Sequence, residues 1–91
     1  MKRFVVTLEF GGTPPDQEVG VAQARFLDKL HADGTLLLAG PFSDGGGGMA
    51  VLAADSLEQV QNLYRNSPLI RSGHATADVR EWNVVRGSVQ R

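Results

Sequence analysis

Phe4, Val6, Leu8 and Phe10 alternate with Val5, Thr7 and Glu9. That period of two is the mark of a half-buried strand. Gly11-Gly12-Thr13-Pro14-Pro15-Asp16 reads as a loop, in which Thr13 or Asp16 can cap the next element. From Asp16 to Asp33 the period changes. Val19, Ala22, Phe26, Leu27 and Leu30 fall at i, i+3, i+7, i+8 and i+11, a single apolar stripe, with Glu18, Arg25, Asp28 and Lys29 mostly off it. This predicts a helix that stops at Gly34, because glycine accepts the left-handed conformation a helix end needs. Thr35 to Ala39 is a short, nearly continuous apolar run and reads as a strand. It ends at Gly40-Pro41, since proline cannot donate to a ladder. Gly45 to Gly48 reads as a flexible hairpin connection and Met49 to Ala53 as the returning strand.

Asp55-Ser56-Leu57-Glu58-Gln59 opens a second helix, with Asp55…Glu58 and Ser56…Gln59 both at capping-box spacing. Leu57, Val60, Leu63 and Tyr64 form its apolar stripe. Ser67-Pro68 closes it, because the residue before proline avoids the helical region. Leu69 to Gly73 is a connector and Ala75 to Val85 a last strand with Trp82 near its end. About 86–91 is a flexible tail. The order is strand, helix, strand, strand, helix, strand, the ferredoxin-like α+β arrangement βαββαβ, with an antiparallel sheet carrying helices on one face. Leu36, Leu37 and Leu38, like Val51 and Leu52, put apolar side chains on both faces of their strands. The face without helices needs a cover, and the expected cover is a second copy, giving a homodimer packed sheet against sheet.

Composition narrows the field. The 91 residues make one domain, and a chain this short buries only a modest core. Nine basic and ten acidic residues leave no surplus to neutralise phosphates, so nucleic acid is not an expected partner. The third strand of an RNA-recognition module carries aromatics, and Met49 to Ala53 has none. The absence of cysteine removes disulfides, thiol catalysis and zinc–thiolate sites. No apolar run approaches the ~20 residues that span a membrane, and Thr7 and Glu9 break the short apolar start that resembles a signal peptide. A cytoplasmic protein without cofactor or metal is the expectation. Gly45 to Ala50 satisfies G-x-G-x-x-A, but a strand comes next where a dinucleotide site needs a helix, and no Lys-Ser or Lys-Thr makes it a P-loop.

Among candidate site residues, Gln23 is the sharpest. At about 100° per residue it falls between Leu30 and Leu27, inside the apolar stripe of the first helix. A buried amide must be hydrogen-bonded or face a cavity. His74 stands at the entry to the last strand, where it is either a surface histidine in a turn or a general base with a pKa near neutrality. His31 lies one turn before a helix end, where its charge suits the dipole. Asp44 points into a cleft or starts the turn after Gly40-Pro41. Arg71 binds an acidic substrate or is simply solvated. Ser67 caps or turns before Pro68. With histidines only at 31 and 74, no metal pair is present in the sequence.

Taken together, these residues resemble the YciI-like (YCII-related) family. The likeness runs from Phe4-Val5-Val6-Thr7-Leu8 through Phe26 to Leu30 and Gly34 to Pro41. It continues in Gly48, Val51-Leu52, Ala54-Asp55-Ser56-Leu57-Glu58, Ser67-Pro68, Gly73 and Glu81-Trp82. It implies a dimeric α/β barrel of two ferredoxin-like protomers, each with a cleft between helices and sheet. It also implies a histidine on the first helix and an aspartate before the proline after the second, taken as an acid/base dyad. Related enzymes act as a dehydrochlorinase and as isomerases on cyclic or aromatic metabolites. Counting back from Ala39-Gly40-Pro41, the family's histidine falls on Gln23 and its aspartate on Ser67. Glutamine and serine hold a ligand by hydrogen bonds but do not readily move protons near neutral pH.

Three functions are compatible with these residues. A lyase or isomerase would use Gln23 and Ser67, with Asp44 and Arg71 as further binding residues, to orient a substrate, and His74 as base; all three of Gln23, Ser67 and His74 would then line one cavity. A small-ligand-binding or accessory dimer module needs the cavity but not His74. A purely structural dimer expects Gln23 to be satisfied by core neighbours with no cavity beside it.

Overall fold

The computed structural model describes residues 1–87. The chain forms β1 (Lys2–Phe10), α1 (Gln17–Ala32), β2 (Leu36–Pro41), β3 (Gly47–Ala54), α2 (Leu57–Arg65), a one-turn α3 (Pro68–Arg71) and β4 (Ala75–Glu81). The sheet order is β2-β3-β1-β4 and every pairing is antiparallel. This is the ferredoxin-like α+β fold expected from the alternation of periods. The core lies between helices and sheet, where Phe4 and Val6 of β1 and Leu36, Ala50 and Leu52 meet Leu30 of α1 and Val60 and Tyr64 of α2.

Local chemistry places the elements. Asp16, not Thr13, caps α1, its Oδ1 accepting from the Val19 amide at 2.9 Å. Gly34 turns the chain out of α1 at φ 87°, and the Thr35 amide reaches back to the Leu30 carbonyl. Ser56 caps α2 by accepting from the Gln59 amide, while the Gln59 side chain accepts from the Asp55 amide. Such caps contribute about 1 kcal/mol each.

Three boundaries differ from the expectation. The connector after Ser67 begins with a helical turn, because proline suits the first position of a helix as well as it ends the previous one. β4 stops at Glu81, so Trp82 lies just beyond it, though its amide still donates to the Arg3 carbonyl. Arg86 and Gly87 are exposed; the rest of the expected tail, 88–91, lies outside the described residues.

The third difference matters for the site. Gly40 and Pro41 remain in β2, which is tolerable because β2 is an edge strand. The connection is Phe42 to Gly46, and Gly47 and Gly48 belong to β3. Gly45 supplies the turn at φ 79°. Gly47 is required for a different reason, since a Cβ there would stand 1.9 Å from the Leu8 carbonyl oxygen. A bulge between Leu36 and Leu38 puts Leu36 in the core, paired with Leu52, and turns Leu38 to the opposite face beside Val51.

Candidate functional site

Gln23 and Ser67 meet in the core. The Ser67 hydroxyl donates to Gln23 Oε1 at 2.7 Å, and the Leu69 amide donates to the same oxygen at 3.3 Å. Ser67 precedes α3, yet its side chain makes no cap bond of its own. Gln23 supplies the missing cap from α1, accepting from one of the amides that a helix start leaves free. This single side chain therefore ties α1 to α3 across the core. Gln23 is 7% exposed and Ser67 fully buried.

The other end of the glutamine is unpaired. The Leu69 amide can only donate, so the atom facing it is the oxygen and the nitrogen points away. Gln23 Nε2 is buried without a protein partner, and so is the Tyr64 hydroxyl. Both residues line one cavity of about 300 Å³. Leu8, Gly47 and Gly48 contribute from the sheet, Leu27 from α1 and Leu69 from α3, with Ala39 to Pro41 also at its edge. No charged side chain is among the lining residues.

Tyr64 is 2% exposed and packs edge-on against Phe26 with ring centroids 5.5 Å apart. Burial pushes its phenol up to about 12, so it is a neutral hydroxyl throughout the physiological range. Sequence reasoning placed Tyr64 only in the apolar stripe of α2. The signal it carried was its hydroxyl, a polar tip in the middle of a buried face that calls for a partner.

The remaining candidates stand elsewhere. His74 is half-buried and outside the cavity lining; its Nδ1 lies 2.6 Å from the Ser72 hydroxyl. The expectation that Gln23, Ser67 and His74 line one cavity is met by Gln23 alone: Ser67 is fully buried outside the lining, bonded to Gln23, and Ser72, two residues away, holds the His74 ring locally. Asp44 is exposed and accepts from the Gly46 amide at 2.8 Å, the bond of an Asx turn. Arg71 is exposed in the last turn of α3, and neither it nor Asp44 lines the cavity. His31 sits exposed in the last turn of α1. Among the described residues, no group of three or more histidine or carboxylate side chains is placed to hold a metal ion, and no helix is long and apolar enough to cross a membrane.

A ferredoxin-like protomer with a cavity between its helices and sheet, walled by α1 and by the turn after α2, defines a class that the sequence matches directly. The chain belongs to the YCII-related domain family, whose match covers residues 3–83. Among its relatives is the uncharacterized protein YjpA of Bacillus subtilis (strain 168), 39% identical over 69 residues, which are 76% of this chain and 81% of YjpA. Two solved structures share the fold. The 5-chloro-2-hydroxyhydroquinone dehydrochlorinase TftG of Burkholderia phenoliruptrix AC1100, in complex with 2,5-dihydroxybenzoquinone, aligns with a TM-score of 0.69 at 18% identity, over 89% of this chain and 93% of its own. Muconolactone isomerase aligns with a TM-score of 0.75 at 15% identity, over 98% and 96%.

Proposed function

We propose that this protein is a dimeric small-molecule-binding member of the YCII-related family, and that its ligand is a cyclic or aromatic metabolite. The observation that carries this reading is the uncharged, mostly apolar cavity between α1 and the sheet, lined in part by Gln23 and Tyr64, two residues that each hold a buried polar atom no protein group satisfies. An unpaired buried polar group costs about 1–3 kcal/mol. The purely structural reading accounts for Gln23 Oε1 but not for the cavity or the free nitrogen.

A lyase or isomerase acting on such a metabolite is the second reading, favoured by the fold shared with a dehydrochlorinase and an isomerase. Among the lining residues only Tyr64 titrates, and it holds its proton. This reading therefore needs a base from outside the walls of one protomer. The dimer is supported by the sheet face without helices, where Leu38 and Met49 are 46% and 40% exposed. Sedimentation at micromolar concentration yields a dimer on this reading; a monomer removes it.

The binding test is a thermal-shift screen of small ring compounds against the wild type and Ala39→Trp. Ala39 is exposed at the cavity edge, so the indole blocks entry while the core stays intact. Compounds that raise the melting temperature of the wild type alone support the cavity as the site, since a ligand preferring the native state stabilises it. Compounds that stabilise both equally bind elsewhere and remove the proposal.

A further inference from the structure

We infer that Ala39 and Ala50 set the size of the molecule this cavity admits, and that the molecule is an uncharged, apolar single ring held by fit to the wall rather than by hydrogen bonds to its side chains. The inference rests on the cavity being a ligand site.

The sheet explains why there is a cavity. Along β2 and β3 the residues that stand opposite one another shrink in one direction: Leu36 with Leu52, then Ala39 with Ala50, then Pro41 with Gly48. Leu36 and Leu52 pack into the core under the helices. Ala50, two residues before Leu52, lies on the same face and is also core. The bulge between Leu36 and Leu38 brings Ala39 opposite it. The large pair fills its share of the space and the small pairs do not, so the cavity is lined by Ala39, Pro41, Gly48 and Ala50 but by neither Leu36 nor Leu52. Gly48 cannot tune this space, since a Cβ there would stand 2.8 Å from the Gly40 carbonyl oxygen. The alanines already carry a Cβ, so at them the wall can gain bulk.

The chemistry of the wall sets the class. No lining side chain carries a charge, and an ion entering would lose hydration without gaining a counter-ion. Gln23 and Tyr64 are the lining residues with polar side chains. Gln23 Oε1 is taken by Ser67 and Leu69, and Gln23 Nε2 and the Tyr64 hydroxyl are buried. What remains to grip a ligand is apolar surface, with Leu8, Leu27 and Leu69 the largest aliphatic contributors. The volume of about 300 Å³ is at the lower end for small-molecule sites, and dry apolar cavities of roughly half that size take up benzene. One ring with a short substituent suits both bounds.

Four probes test this by chemical-shift titration of ¹⁵N-labelled protein: benzene, ethylbenzene, acetophenone and benzoate. Ethylbenzene is expected to bind the wild type about tenfold tighter than benzene, the worth of two further buried carbons. Acetophenone binds no tighter than ethylbenzene, and benzoate binds at least about tenfold more weakly. Ala50→Val and Ala39→Val each cut the preference for ethylbenzene over benzene to about threefold or less, and Tyr64→Phe leaves acetophenone binding unchanged. Ala39 is exposed, so Ala39→Val tests the size limit even if Ala50→Val does not fold. A preference undiminished in Ala39→Val, or in folded Ala50→Val, overturns the size assignment. Acetophenone or benzoate binding more tightly than ethylbenzene, or acetophenone binding lost in Tyr64→Phe, overturns the apolar class. Each of these leaves the cavity a site, provided Ala39→Trp still abolishes binding. If no probe binds, or Ala39→Trp binds them all as well as the wild type, the cavity reading itself fails and the inference goes with it.

Discussion

Two serines make short side-chain hydrogen bonds in this protein, and their settings are opposite. Ser67 reaches Gln23 at 2.7 Å across 44 positions of sequence, in the core. Ser72 reaches His74 at 2.6 Å across two positions, at the surface. The first bond exists only because the fold exists, holds two helices together, and leaves a spare donor beside a cavity. The second is made by the local chain and faces solvent. Histidine is the more reactive residue by type, yet the glutamine occupies the more consequential place. Environment, rather than side-chain chemistry alone, decides which polar group is poised to act.

The contrast can be broken most forcefully at Gln23. Gln23→Ala strands the Leu69 amide and the Ser67 hydroxyl and adds a void, so unfolding free energy should fall by about 3 kcal/mol, read from urea denaturation. Ser67→Ala removes one buried hydroxyl but leaves the Leu69 bond. Its loss should be about 1 kcal/mol, and a double variant with Gln23→Ala should cost less than the sum of the two.

Tyr64 sharpens the picture in alkali. Its folded pKa is raised from 10.0 to about 12 by burial. The folded chain then holds this proton where the unfolded chain has lost it. Stability is thus undiminished below pH 10 and declines as pH rises through about 12. The chain contains a single tyrosine, so phenolate absorbance tracks this group alone, and the same decline should be missing from Tyr64→Phe. Near neutral pH that variant should be as stable as the wild type or more so by up to about 1 kcal/mol, because it deletes an unpartnered buried hydroxyl. The smallest effect belongs to His74→Ala, within about 0.5 kcal/mol and without change in probe affinity. A large effect there would erase the contrast with Gln23.

Much of this was legible in the sequence. The changes of period gave the strands and helices, and Gly34 and Ser56 marked ends that the structure keeps. Gln23 stood out because a polar residue inside an apolar stripe has to be answered by something. Its neighbour could be inferred only through the family resemblance, since no local signal joins positions 23 and 67. The four glycines were harder. Gly45 serves a turn, which composition suggests, whereas Gly47 is demanded by the nearness of Leu8 on the next strand, a tertiary fact. Tyr64 was hidden for a related reason. An aromatic at a core position satisfies the hydrophobic pattern completely, and only the packed structure reveals that its hydroxyl has no partner. His74 suggests a cleft residue because strand ends often border clefts, whereas the structure pairs it with Ser72, two residues before it.

The most direct measurement is a crystal structure of the protein soaked with acetophenone. The ring should lie among Leu8, Leu27 and Leu69. A cavity that holds only water, or a glutamine nitrogen found bonded to the protein itself, would contradict the assignment of this cavity as a ligand site.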